Sequence, residues 1–164
     1  MGKSQITAEP GSHQILITRE FDAPRQLIYR AWTDPQLIKQ WLGPRRLEMI
    51  IDRYDLRDGG SWRYVNREAD GTEYGFHGVF HGDPSPDGMV QTFEFEGAPG
   101  HVSLDTLRME ERDGKTIVHM NSVFQTVEAR DAMVAAGMQS GLDEGFERLE
   151  ELIGQMAPVG APGA

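Results

Sequence analysis

At 164 residues the chain is long enough for one domain of ordinary size and too short for two. Hydrophobic residues make up 38% and charged residues 26%, and no stretch approaches the roughly 20 apolar residues that a bilayer-crossing helix needs. A net charge of −10 disfavours nucleic acid and anionic membranes as partners, and zero cysteines exclude disulfides, thiolate nucleophiles and thiolate metal sites.

The opening residues MGKSQITAEPGSH contain no apolar leader core, so the expected compartment is the cytoplasm. Residues 1–13 and 156–164 have no periodicity and are read as disordered tails around a single domain over 14–155. Gln14 to Phe21 places Ile15, Ile17 and Phe21 on one face, the pattern of a half-buried strand. Pro24 then stands at a first helical position ahead of Leu27, Ile28, Ala31 and Trp32. Asp34-Pro35 repeats the device with Asp34 as N-cap, Leu37, Ile38, Trp41 and Leu42 form a second stripe, and Gly43-Pro44 ends it.

From Arg46 to Phe124 the apolar period becomes two. Six strands are expected around Leu47-Met49-Ile51, Trp62-Tyr64, Tyr74-Phe76-Phe80, Met89-Phe93-Phe95, Leu104 to Met109 and Val118-Met120-Phe124. Asp58-Gly59-Gly60, Asp70-Gly71, Asp83 to Gly88, Gly97 to Gly100 and Asp113-Gly114 separate them, which predicts an antiparallel meander of sequential hairpins. A short helix over Val127 to Ala136 precedes a long one ending near Met156. Met138, Leu142, Phe146, Leu149, Leu152 and Ile153 share one arc of that long helix. That arc needs an apolar partner, and one sheet face is the largest available. The fold class is therefore α+β, with seven antiparallel strands, two short helices after the first and a long C-terminal helix.

A twisted, curved sheet around one long helix tends to leave a cavity. Its expected lining is Trp62, Tyr64, Phe76, Phe93 and Phe95 from the sheet, Met138, Leu142 and Phe146 from the helix, and Trp41 at the mouth. Gly137, Gly141 and Gly145 recur at i, i+4 and i+8, each costing about 1 kcal/mol relative to alanine in a helix interior. They either let the helix approach its neighbours closely or leave room for a ligand. Arg53, Asn66, His77, Asp105 and His119 are candidates for acid–base work, subject to strand register. His77 and His81 lie on one strand about 13 Å apart, too far to share an ion. GxSxG, GxGxxG, P-loop and HExxH patterns are missing, so no catalytic triad, nucleotide, metal or other cofactor is expected.

Six ordered blocks carry a family resemblance. They are Thr18 to Pro24 (TREFDAP), Ala31 to Pro35 (AWTDP), Trp41 to Pro44 (WLGP), Asp55 to Tyr64 (DLRDGGSWRY), Asp113 to Thr116 (DGKT) and Glu128 to Met133 with Gly137-Met138. In this order they resemble bacterial proteins similar to the C-terminal domain of the activator of the Hsp90 ATPase, within the START-like, helix-grip superfamily. The resemblance spans about 14–153 and implies a seven-stranded sheet gripping a long helix around a cavity. It also implies three functional expectations. The first is non-catalytic binding of a lipid, polyketide or aromatic compound, in a stress-related setting. The second is a chaperone partner of Hsp90 type, and the third is cyclase- or hydrolase-like chemistry in the same cavity.

Overall fold

The computed structural model describes residues 4–156. In chain order the elements are β1 (Gln5–Thr7), β2 (Gln14–Phe21), α1 (Arg25–Thr33), α2 (Pro35–Trp41), β3 (Glu48–Tyr54), β4 (Ser61–Arg67), β5 (Glu73–Ser85), β6 (Gly88–Phe95), β7 (Val102–Arg112), β8 (Lys115–Phe124), α3 (Val127–Ala135) and α4 (Met138–Gln155). The strands form one antiparallel sheet in the order β1-β2-β8-β7-β6-β5-β4-β3, so β3 to β8 run as an unbroken meander and β2 closes against β8.

The sheet has eight strands where seven were expected. Gln5–Thr7 pairs with Leu16–Thr18 on the free edge of β2, which corrects the reading of a disordered tail there, while residues 1–3 of that tail lie outside the described residues. With one apolar residue, Ile6, this segment shows no alternation, and backbone pairing supplies what periodicity could not announce. Buried Arg130 of α3 holds the following turn in place by donating to the carbonyls of Glu9 and Gln14 at 2.8 and 2.9 Å. At the other end, residues 157–164 of the expected C-terminal tail lie outside the described residues.

Local chemistry sets the helix boundaries. The Asp34 side chain accepts from the Gln36 N–H at 2.9 Å, with Pro35 at the first helical position, and Thr126 caps α3 through the Ala129 N–H at 3.0 Å. Gly137 turns the chain from α3 into α4 at φ 82°, a left-handed conformation that favours glycine. One correction concerns β5, which runs on to Ser85 instead of yielding to a loop at Asp83. Its pairing with β6 becomes irregular after His81, and Pro84 sits in that irregular stretch.

The inner face of the sheet is best described by rows that run across strands. Val118, Met109 and Arg19 form one end, next to Phe21. Met89, Leu107, Met120 and Ile17 make the next row, followed by Phe80, Gln91, Asp105, Ser122 and Ile15. Beyond these come Phe93-Ser103-Phe124, and then Ile51-Tyr64-Phe76-Phe95. Helix α4 reaches this face on the β2 side. Phe146 meets Phe21 edge to face at 5.4 Å, Glu150 pairs with the buried guanidinium of Arg19, and Arg19 lies 5.2 and 5.6 Å from those two rings.

Candidate functional site

Because α4 seats on the β2 side, the space over β4, β6 and β7 is left to side chains alone. A partly open chamber of about 200 Å³ lies there. Its roof is an aromatic cluster of Trp32, Trp41 and Phe146, with Trp32 and Trp41 4.7 Å apart and Trp32 and Phe146 6.0 Å apart. Trp41 is 1% exposed and fixed in position by donation from its indole N–H to the Ala31 carbonyl at 2.9 Å. The floor is a second cluster, with Trp62 stacked on Tyr64 at 5.4 Å and tilted against Phe93 at 5.9 Å.

The loop following α2 is strapped to α4 and completes the roof. Arg148 donates to the carbonyls of Gln40 and Gly43, both at 2.8 Å, satisfying the end of α2. Burial lowers the Arg148 pKa, and Arg45 beside it adds to that effect. Arg45 itself pairs with Glu151, and its N–H donates to Glu144.

The three helix glycines divide between the two roles considered. A Cβ at Gly145 would lie 3.3 Å from the Trp41 carbonyl oxygen and 3.5 Å from the Gly43 nitrogen, so this glycine lets α4 touch the end of α2. Gly141 faces the chamber, and a Cβ there would meet nothing within 4 Å. Gly137 belongs to the turn.

Six of the nine expected lining residues surround the chamber: Trp41, Trp62, Tyr64, Phe93, Leu142 and Phe146. Phe76, Phe95 and Met138 do not. Phe76 and Phe95 occupy the end of the Tyr64 row, where they pack on Tyr64, Phe93 and one another at 5.2 to 5.5 Å. Met138 sits in the first turn of α4, before the helix reaches the chamber at Gly141. Among the acid–base candidates, Arg53 and Asp105 line the chamber. Asn66 is buried beneath Gly43. His77 and His119 face the opposite side of the sheet, where His77 meets Glu96 at 2.9 Å and Glu94 at 3.4 Å, and His119 meets Glu110 at 3.7 Å.

The linings missed from sequence include Trp32, Tyr54, Met89, Gln91 and Met120. Tyr54 is missed for a geometric reason. Counting in twos from Met49 and Ile51 sends Tyr54 outward, but a bulge at Asp52 changes the parity and sets Tyr54 opposite Trp62, on the inner face. Its hydroxyl donates to the Trp32 carbonyl at 3.3 Å, and burial raises its pKa.

Among the described residues Asp105 is the one acidic residue in the chamber wall. Burial raises its pKa, and hydrogen bonds from Ser122 and Ser103, the latter at 3.0 Å, offset part of the rise. Neighbouring Tyr64 is pushed up by its own burial and then by the Asp105 charge. Below the ordinary aspartate value of 3.8 the carboxyl is protonated in both folded and unfolded chains. Between that value and the raised folded value the unfolded chain ionises first, so the folded state loses stability as the pH rises, and the full deficit persists to neutrality. Asp105→Asn is therefore expected to melt above the unsubstituted protein at pH 7, with the gap closing below pH 4. Equal melting temperatures at pH 7 would show a well-solvated carboxylate.

A family model described as "Activator of Hsp90 ATPase homolog 1-like protein" matches residues 22–154. No curated protein matches the sequence. A crystal structure of a Rhodobacter sphaeroides protein is similar over 94% of this chain and 100% of its own, at 26% identity and a TM-score of 0.87. A solution structure from Arthrobacter aurescens (23% identity, 97% and 96% covered, TM-score 0.83) and a crystal structure from Mycobacterium smegmatis (22%, 90% and 94%, 0.81) share the fold. Among the described residues no helix is long and apolar enough to cross a membrane.

Proposed function

Because the chain belongs to the activator of Hsp90 ATPase homolog 1-like family and carries this chamber, we propose that it is a non-catalytic binder of one small hydrophobic molecule. The observation that carries the reading is the unfilled volume between two aromatic clusters, with Gly141 of α4 open towards it. Protein interiors otherwise close-pack, and an apolar void forfeits dispersion contacts on every wall. An engineered apolar cavity of about 150 Å³ takes up benzene, so about 200 Å³ suits a one- or two-ring aromatic body and is small for a diacyl lipid. Of lipid, polyketide and aromatic ligands, the volume favours the last.

The test is titration of the full chain with naphthalene, followed by tryptophan emission, since Trp32, Trp41 and Trp62 all line the chamber. Saturable binding at one site per chain is expected. Emission unchanged up to the solubility limit would remove the proposal.

A second reading, cyclase- or hydrolase-like chemistry, is favoured by Asp105, a carboxyl of raised pKa in the wall. Product accumulating with time from a bound ligand would select it. The family name also suggests a chaperone partner, which stimulation of an Hsp90-type ATPase by the purified chain would support.

A further inference from the structure

We infer that the Gln91-Asp105-Ser122 row is a specificity element, and that the ligand is an aromatic molecule bearing a neutral hydroxyl, which donates to the Asp105 carboxyl and accepts from the Gln91 amide. The inference rests on the ligand-binding role proposed above and names the chemistry of that site. Strand register carries it. Gln91 faces Asp105 across β6 and β7, and Asp105 faces Ser122 across β7 and β8, so three polar side chains form one continuous rung. The row on one side is Met89, Leu107 and Met120, and the row on the other is Phe93, Ser103 and Phe124. A polar rung set among mostly apolar rows is costly unless it is hydrogen-bonded, and Ser103 and Ser122 meet only part of the accepting capacity of Asp105.

A recess beside the rung has room for a ligand group, and the chamber wall carries a further unmet donor. A side recess of about 60 Å³ shares Trp32, Met89, Gln91, Asp105 and Met120 with the chamber and continues to Ser122. That is room for one polar group and no more than a water or two beside it. Trp62, 3% exposed and lining the chamber, has a buried indole N–H without a partner among the described residues.

The charge of the ligand follows from what surrounds the rung. Among the described residues no basic side chain bonds to Asp105, whose burial disfavours its ionised form. A carboxylate brought to this rung would meet a second acid in a poorly solvating wall. Arg53 and Arg63 also line the chamber, but Arg63 is engaged by Glu96 at 2.8 Å, and Arg53 is exposed. A hydroxyl suits both partners because it donates and accepts through one atom.

The experiment compares naphthalene, 2-naphthol, 2-naphthoate and 2-naphthylmethylammonium on the full chain, alongside Asp105→Asn and Asp105→Leu. In the unsubstituted protein 2-naphthol should bind about tenfold tighter than naphthalene, the scale of one good neutral hydrogen bond, and 2-naphthoate should bind most weakly. Asp105→Asn retains a donor and an acceptor, so it should keep the preference for 2-naphthol while tolerating 2-naphthoate better. Asp105→Leu should lose the preference, binding naphthalene and 2-naphthol with equal affinity. Naphthalene binding with no gain from the hydroxyl would overturn the inference and leave the binding role standing. So would tightest binding of the carboxylate or the ammonium, or a hydroxyl preference that survives in Asp105→Leu. Failure of naphthalene itself would remove the binding role, and this inference with it.

Discussion

Gly141→Leu is expected to abolish uptake of naphthalene while the protein stays folded. The leucine side chain starts from a Cβ with nothing within 4 Å and grows into a chamber of about 200 Å³ that a two-ring ligand would otherwise occupy. Replacing glycine in a helix interior also gains about 1 kcal/mol of helix propensity, so the variant should be at least as resistant to urea as the parent. Gly145→Leu is the matched control. Its Cβ would press on the Trp41 carbonyl at 3.3 Å, a backbone atom strapped in place through Arg148, and it should lose about 1–3 kcal/mol, as overpacking does. Isothermal titration and urea denaturation of both variants read out the two effects separately. Equal destabilisation by the two leucines would mean that Gly141, like Gly145, serves packing.

Trp41→Ala should cost about 3–5 kcal/mol, the range for removing a large buried aromatic. That is a large share of the 5–15 kcal/mol by which domains are generally stable. Trp41 is 1% exposed, meets Trp32 at 4.7 Å and Phe146 at 6.4 Å, and its indole N–H satisfies Ala31. Removing the ring would also enlarge the chamber, so added indole should restore part of the loss by binding the folded state alone. A cost below 1 kcal/mol in urea would show that the roof cluster is not part of the structural core.

The architecture is legible in the sequence because its signals are local. Asp58-Gly59, Asp70-Gly71 and Asp113-Gly114 mark hairpins, and prolines 24 and 35 mark helix starts, at the places where the chain folds accordingly. The floor aromatics Trp62, Tyr64 and Phe93 follow from alternation within β4 and within β6. What alternation does not supply is position along the face, so Phe76 and Phe95 share the correct side yet sit beyond the chamber. Tyr54 required knowledge of the bulge at Asp52, and β1 required knowledge of a free edge on β2. The polar rung is the strongest case of this kind. Gln91, Asp105 and Ser122 are far apart in sequence and meet only through the registers of three strands, which turn chemistry constrains and does not fully determine.

The family name points towards a chaperone, whereas the chamber points towards a small molecule. The two are compatible if the binding energy of an apolar ligand is used to set the surface offered to a partner, and the straps between α4 and the segment ending α2, Arg148 to the Gln40 and Gly43 carbonyls and Glu151 to Arg45, are where filling the chamber would be felt.

The most direct measurement is a crystal soaked with 2-bromonaphthalene and recorded at the bromine absorption edge. The account predicts one anomalous peak per chain between Trp41 and Phe146 on one side and Trp62 and Phe93 on the other. Fully soaked crystals showing no bromine there, with those side chains closed against one another, would contradict it.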